Sequence, residues 1–136
     1  MKKTILILGI VVGSAAVFTN LCAKPLHSIV KLWEDARFSW VHTLFDFGDI
    51  KQNVPVDHVF RFTNNGDAPL IITSVQASCG CTVTEYSKDP IPAGAEGFVK
   101  ATYNAAKLGV FNKTVTVNAN TPGQAVMLTI KGTVVE

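Results

Sequence analysis

Apolar and polar residues alternate in short stretches from about residue 44 to the last residues of the chain. In residues 56–63, Phe60 and Phe62 fall on one face of the stretch, while Arg61 and Thr63 fall on the other. A period of two is the pattern of a β-strand with one buried face. Turn-forming clusters separate these stretches at the spacing of about 8–12 residues that is typical of a β-sandwich. No long helical pattern lies between them, which disfavours a parallel βαβ fold.

The alternation predicts an all-β domain over residues 44–136, built as an antiparallel β-sandwich of seven strands. The predicted strands are Thr43–Phe47, Val56–Thr63, Leu70–Ala77, Thr82–Tyr86, Gly97–Tyr103, Val110–Asn118 and Val126–Val134. The residues predicted to point inward between the two sheets are Phe60, Phe62, Leu70, Val99, Tyr103, Phe111, Val115, Val117, Leu128 and Ile130. A chain of this length can bury one such core.

The first 23 residues have the layout of a secretory signal peptide. Lys2 and Lys3 precede an apolar run over residues 5–18, and Ala23 offers a small residue for cleavage. The run is shorter than the roughly 20 apolar residues of a membrane-spanning helix. We therefore expect the mature chain to begin at Lys24, to have no integral membrane span and to be periplasmic or secreted.

Two alternatives stay open for this segment. Cys22 could carry a lipid as the first residue of a lipoprotein, although the Leu21 before it is larger than the residue that usually precedes such a cysteine. An uncleaved signal could instead anchor the protein in the membrane. All three interpretations place the domain outside the cytoplasm, where disulfides form and persist.

Residues 24–43 are predicted to be a lead-in segment before the sandwich. Leu26, Ile29, Val30 and Trp33 have the spacing of one apolar face of a short helix. The simplest interpretation is a short helical or irregular segment that packs on the domain. A helix that lies at a membrane interface, helped by its aromatic residues, is the alternative.

The densest chemistry in the sequence is the motif Ser78-Cys79-Gly80-Cys81-Thr82. In an extended strand, residues two apart have Cα atoms about 6.6 Å apart and side chains on one face, which is at the upper limit of disulfide geometry. Gly80 relaxes the backbone between the cysteines, and Ser78 and Thr82 complete the predicted turn. Three interpretations of Cys79 and Cys81 stay open: a structural pair, packed or bridged; a thiol pair for a metal or for redox chemistry; and intermolecular pairing.

Copper(I) is the metal that such a pair would suit, because two thiolates can bind it. Zinc would require four ligands, and His27, His42 and His58 have no close sequence spacing to the cysteines. His58 falls on the apolar face of its strand, so we expect it to be packed there or at the rim rather than to bind a metal. Ser78 lacks the Gly-x-Ser-x-Gly elbow of a nucleophilic serine, and no catalytic residue is predicted.

Charge and motif content argue against several classes of function. The formal net charge is only +2, which gives no electrostatic basis for nucleic-acid binding. The sequence has no phosphate-binding glycine loop, no His-Glu-x-x-His motif and no calcium loop. Asp46 and Asp49 flank Gly48 and are interpreted as turn residues that close the first strand.

Several motifs follow one another along residues 44–134. They are Phe45-Asp46-Phe47-Gly48-Asp49-Ile50, Phe60–Leu70, the Ser78–Thr82 motif, Ile91–Gly94, Phe111–Val115 and Asn118–Asn120. This ordered set resembles the bacterial family called domain of unknown function 1573, and at a distance it is similar to Hydin-type and major-sperm-protein-type immunoglobulin-like domains. The resemblance implies an exported immunoglobulin-like β-sandwich. It implies no reaction, because the family's function is unassigned.

The function predicted from these observations is that of an exported, non-enzymatic immunoglobulin-like module. It would bind or assemble with a protein partner, whose identity is unknown, in the bacterial cell envelope. The predicted contact surface is an exposed sheet edge or the lead-in segment, since an open sandwich leaves strand edges unpaired. The alternative function is thiol-based, either copper(I) binding or redox chemistry at Cys79 and Cys81.

Overall fold

The computed structural model describes residues 35–136, and regular secondary structure in that range is entirely β. Its eight strands are β1 (Phe38–Trp40), β2 (Leu44–Lys51), β3 (Val56–Asn64), β4 (Ile72–Ala77), β5 (Thr82–Tyr86), β6 (Glu96–Tyr103), β7 (Gly109–Ala119) and β8 (Val126–Val135). One four-stranded sheet has the order β1-β3-β6-β5, and the other has the order β2-β8-β7-β4. The predicted all-β architecture of two sheets is therefore confirmed. The predicted signal peptide and residues 24–34 of the predicted lead-in lie outside the described residues.

The N-terminal part of the domain contributes one strand to each sheet, β1 to the first sheet and β2 to the second. β1 pairs antiparallel with β3, and after residues 41–43 the chain continues as β2, which pairs parallel with β8. At this switch between the sheets, Thr129 N donates a hydrogen bond of 2.8 Å to Thr43 O. The prediction of seven strands, all antiparallel, is therefore wrong. β1 falls within the predicted lead-in and adds an eighth strand, and β2 pairs parallel with β8.

Gly48 interrupts β2 without ending it. The residue has a φ of 65°, a conformation that favours glycine. The register with β8 shifts between Asp46 and Asp49, and Gly48 N donates a hydrogen bond of 2.8 Å to Asp46 Oδ1. These residues form a β-bulge rather than the predicted turn at the end of the strand, and β2 continues beyond it to Lys51.

The core lies between the two sheets, and every residue that was predicted to point inward is buried in it. Tyr103 on β6 stacks on Phe111 on β7 with ring centroids 4.2 Å apart, and this contact joins the two sheets. Gly132 lies opposite Phe111 in the β7–β8 pair. A Cβ at Gly132 would come within 2.8 Å of the Phe111 ring, so the glycine makes room for the aromatic side chain.

Asn64, at the end of β3, is a fully buried polar residue whose amide is hydrogen-bonded on both sides. Its Nδ2 donates to Ala68 O at 2.7 Å and to Ile91 O at 2.9 Å. Its Oδ1 accepts hydrogen bonds from Arg37 N at 3.2 Å and from Gly66 N at 3.0 Å. One side chain therefore connects the segment that leads into β1 with the loops that follow β3 and β5.

Replacing Phe111 with alanine should lower the free energy of unfolding by about 3–5 kcal/mol, the usual cost of removing a buried phenylalanine. The side chain is only 4% exposed, whereas the neighbouring Val110 is 84% exposed. Val110→Ala is the matched control and should change stability by less than about 0.5 kcal/mol. Urea unfolding of both variants measures the difference, and equal losses would contradict the position of Phe111 in the core.

Candidate functional site

The turn that contains Cys79 and Cys81 joins edge strands of opposite sheets. β4 ends at Ala77 on one edge of the second sheet, and β5 begins at Thr82 on one edge of the first. Residues 78–81 therefore carry the chain across one open side of the sandwich. The sequence predicted a turn that caps a sheet, and the structure places the two cysteines on a turn between the sheets.

A disulfide joins Cys79 to Cys81 within the chain, with their Cα atoms 5.4 Å apart. This separation lies inside the usual range for disulfides of about 4.4–6.8 Å. The turn contracts the backbone, and Thr82 N donates a hydrogen bond of 3.4 Å to Cys79 O across it. The structure thus contains the bridged form of the pair, while a metal or redox role for it stays a prediction.

The backbone on both sides of the disulfide is held by hydrogen bonds that do not involve sulfur. Ser78 N donates to Thr114 O at 2.8 Å, and Thr114 N donates to Ser78 Oγ at 3.1 Å. On the other side, Asn104 N donates to Cys81 O at 3.1 Å. The turn is therefore attached to both sheets. The sequence did not reveal Thr114 and Asn104 as supports, because only the folded topology brings them next to the motif.

The Sγ atom of Cys79 has a polar neighbour, and the glycine between the two cysteines is exposed. Thr82 is only 6% exposed, and its Oγ1 lies 3.9 Å from Cys79 Sγ. Both cysteines are half-buried, while Gly80 between them is exposed. No atom outside residues 79–81 lies within 4 Å of a Cβ built on Gly80. The turn can therefore be approached from the side of Gly80.

His58 lies away from the turn and is packed among aromatic side chains, as expected. Its ring stacks on Phe45 with centroids 3.7 Å apart and meets the edge of Phe60 at 4.7 Å. Burial lowers the pKa of His58, and the nearby His42 lowers it further, against the opposing effect of Asp57. Within residues 35–136, no group of three or more His, Cys, Asp or Glu side chains is placed to hold a metal ion.

Solved structures resemble this domain at low sequence identity. A protein of unknown function from Porphyromonas gingivalis W83 has a TM-score of 0.64 and 14% identity over 72% of this chain, which spans about half (46%) of that protein. The ASH/PapD-like domain 7 of human CEP192 has a TM-score of 0.64 and 7% identity over 76% of this chain and 88% of its own. The VesB protease of Vibrio cholerae has a TM-score of 0.58 and 13% identity over 80% of this chain and 34% of its own. These likenesses show an immunoglobulin-like, PapD-like fold.

A family model described as protein of unknown function (DUF1573) matches residues 38–134. The match begins with β1 and ends within β8, so it includes both sheets and the cysteine turn. It confirms the resemblance that the ordered motifs indicated. No curated protein sequence matches the chain.

The variant that combines Cys79→Ser with Cys81→Ser should lose little stability. The bridged residues are only two positions apart, and the entropy of closing such a three-residue loop corresponds to about 1.6 kcal/mol, less than the typical 2–4 kcal/mol of a disulfide. Urea unfolding of the oxidised wild type and of the variant tests this expectation. A loss above about 3 kcal/mol would show instead that the disulfide is a main support of the fold.

Proposed function

The chain belongs to the DUF1573 family, whose function is unassigned, and we propose a function for it from its own structure. The protein is a non-enzymatic binding or assembly module of the bacterial cell envelope. The observation that carries this proposal is the open edge of β5. An immunoglobulin-like sandwich commonly works through its loops or its exposed edges. The binding site proposed here is this edge, and the ligand is an extended segment of a partner protein.

The four outer strands of the two sheets differ in how well they are protected against pairing. β1 has only three residues, β2 contains the bulge at Gly48, and the pairing of β4 with β7 is irregular between Ile72 and Ser74. Short strands and bulges are common devices against edge pairing. β5 has neither, because it pairs with β6 in unbroken register from Thr82 to Tyr86.

The unpaired backbone groups of β5 can be assigned from its hydrogen bonds to β6. Asn104 N donates to Cys81 O, and Ser87 N donates to Phe98 O at 3.1 Å. Hydrogen-bonded positions alternate along an antiparallel pair. The odd-numbered residues of β5 therefore direct their backbone N–H and C=O groups toward β6.

Thr84 and Tyr86 consequently direct their backbone N–H and C=O groups away from the sheet. No described strand pairs with this side of β5. Val83 adds an apolar side chain that is 64% exposed. A strand from a partner would satisfy the backbone groups and cover this side chain, which is how strand addition provides both affinity and specificity.

The proposed compartment is outside the cytoplasm. Disulfides persist in oxidising compartments and are rare in the cytosol, so the Cys79–Cys81 bridge supports export. The signal-like pattern of the first 23 residues supports the same conclusion, with Lys24 as the proposed first residue of a periplasmic or secreted chain. Lipidation at Cys22 or an uncleaved anchor are the alternatives. No helix in the part of the chain that the structure describes is long and apolar enough to cross a membrane.

A second candidate function is copper(I) binding by the reduced thiol pair. It is favoured by the hydrogen bonds that hold the turn without the sulfurs, because these bonds should keep Cys79 and Cys81 close after reduction. Two thiolates are sufficient for copper(I). A structural zinc site would need two further ligands, and the described residues offer no cluster that supplies them.

For the copper(I) function, the reduced wild-type protein should take up one copper(I) ion, and the variant with both cysteines replaced by serine should take up none. Anaerobic competition with a chromophoric copper(I) chelator measures the uptake. The single variant Cys81→Ser should bind more weakly than the wild type, because one thiolate remains. Equal uptake by the wild type and the double variant would rule out the pair as the metal site.

For strand addition, a photo-crosslinking residue at Val83 should give one main adduct with a protein partner in intact envelopes. Mass spectrometry identifies the partner, and the adduct is then reproduced with both proteins purified. Thr84→Pro should abolish the adduct, because proline removes an outward N–H at a position where an edge strand tolerates it. Thr84→Val keeps that N–H and should retain the adduct.

The same crosslinker at Asp49 provides a positional control, because it lies on the bulged edge of β2. Adducts of equal yield from both positions would contradict a binding site on β5. The binding site on β5 would also be contradicted if the Thr84→Pro variant is folded by circular dichroism and still gives the adduct at Val83.

A further inference from the structure

We propose that the Cys79–Cys81 disulfide exchanges with thiols of other polypeptides and oxidises a dithiol substrate to a disulfide. This inference goes beyond strand addition and replaces the non-enzymatic part of the proposed function, because it assigns catalytic sulfur chemistry to the turn; it does not require the edge of β5. It rests on the small loop that the disulfide closes, the sulfur-independent support of the turn, the access beside Gly80 and the position of the Thr82 hydroxyl.

The disulfide adds little to the fold, so an opened state would remain folded. A bridge between residues two apart constrains the unfolded chain far less than one that closes a long loop. The turn is independently held by Thr114 on one side and by Asn104 on the other. Reduction should therefore release two thiols without moving the strands, and the thiols should remain close enough to form the bond again.

Exchange also requires that a thiolate can reach a sulfur atom, and the turn is open on one side. Gly80 is exposed, and no atom outside residues 79–81 lies within 4 Å of a Cβ built on it. Gly80 is not among the glycines with positive φ, so the backbone conformation alone does not require glycine here. Gly80 has no side chain that could cover the disulfide, so an incoming thiolate can approach the turn from this side.

The neighbouring hydroxyl assigns different roles to the two sulfurs. Thr82 Oγ1 lies 3.9 Å from Cys79 Sγ and can donate a hydrogen bond to a thiolate that forms there. A thiol with a stabilised thiolate leaves faster. Cys79 is therefore the leaving sulfur, and Cys81 is the sulfur that is attacked.

The reaction balances in two exchanges. A substrate thiolate attacks Cys81 Sγ, a bond forms between them, and the bond to Cys79 breaks with its electron pair on Cys79 Sγ. A second thiolate of the same substrate attacks the substrate sulfur of this mixed disulfide and releases Cys81 as a thiolate. The substrate dithiol loses two electrons and the cysteine pair gains them, while the protons enter or leave through solvent. A low-molecular-weight disulfide then reoxidises the pair by the reverse exchanges.

The test uses the mature protein, a reduced peptide with two cysteines, and oxidised glutathione as the oxidant at fixed pH. Catalytic amounts of the protein should accelerate formation of the peptide disulfide over buffer alone. The variant with both cysteines replaced by serine should lose this acceleration. Alkylation followed by intact mass should detect the protein in its dithiol form during turnover, and circular dichroism should show that it stays folded.

Thr82→Val tests the assigned roles, with Thr116→Val on β7 as its matched control, because Thr116 belongs neither to the cysteine turn nor to β5. Loss of the hydroxyl beside Cys79 should slow reduction of the disulfide by glutathione roughly threefold or more, whereas the control should react like the wild type. Equal rates for both variants would overturn Cys79 as the leaving sulfur. No acceleration of peptide oxidation, or free thiols that appear only after urea unfolds the protein, would overturn the exchange function itself.

Discussion

The buried amide of Asn64 is the interaction on which one end of the sandwich depends. Its hydrogen bonds hold the entry to β1 and two loops at the same point. Removing it would leave several backbone groups without partners, and a buried unsatisfied group costs about 1–3 kcal/mol. Gly66 completes the arrangement, because a Cβ there would collide with the carbonyl oxygen of Asp35. The position of β1, and hence the switch of the chain between sheets, follows from this contact.

The cysteine turn is organised differently. Its supports are backbone and serine hydrogen bonds to Thr114 and Asn104, and the disulfide is an addition to them. A long-range disulfide would make the fold sensitive to redox state. A bridge between residues only two apart in sequence should leave the sheets in place whether it is closed or open. The oxidation state of the pair should therefore change the stability of the sandwich by only about 1.6 kcal/mol, so the domain should stay folded during reversible sulfur chemistry.

The sequence predicted the parts of the fold that depend on periodicity, and it missed the parts that depend on long-range contacts. The inward positions of Phe60 and Val117 follow from alternation, because a strand has two faces. β1 was missed because three residues are too few to show a period, and they follow a stretch with helical spacing. The sequence located the turn at Asn64 but not its hydrogen bonds, whose partners include Arg37 and Ile91. The sequence predicted that Cys79 and Cys81 lie close together. It did not decide whether they are bridged to each other, bind a metal or pair with another chain.

The proposed binding edge and the proposed exchange site meet at Thr82. This residue begins β5, and its hydroxyl lies beside Cys79 Sγ. Strand residues rise about 3.3 Å each, so the outward backbone groups of Thr84 lie only two residues along the strand. A polypeptide that adds to this edge would therefore pass close to the turn that carries the disulfide. Holding reactants together converts an encounter between molecules into a step within one complex. Binding along β5 would therefore raise the rate of exchange for the polypeptides that bind there, and the edge would select the substrates of the turn.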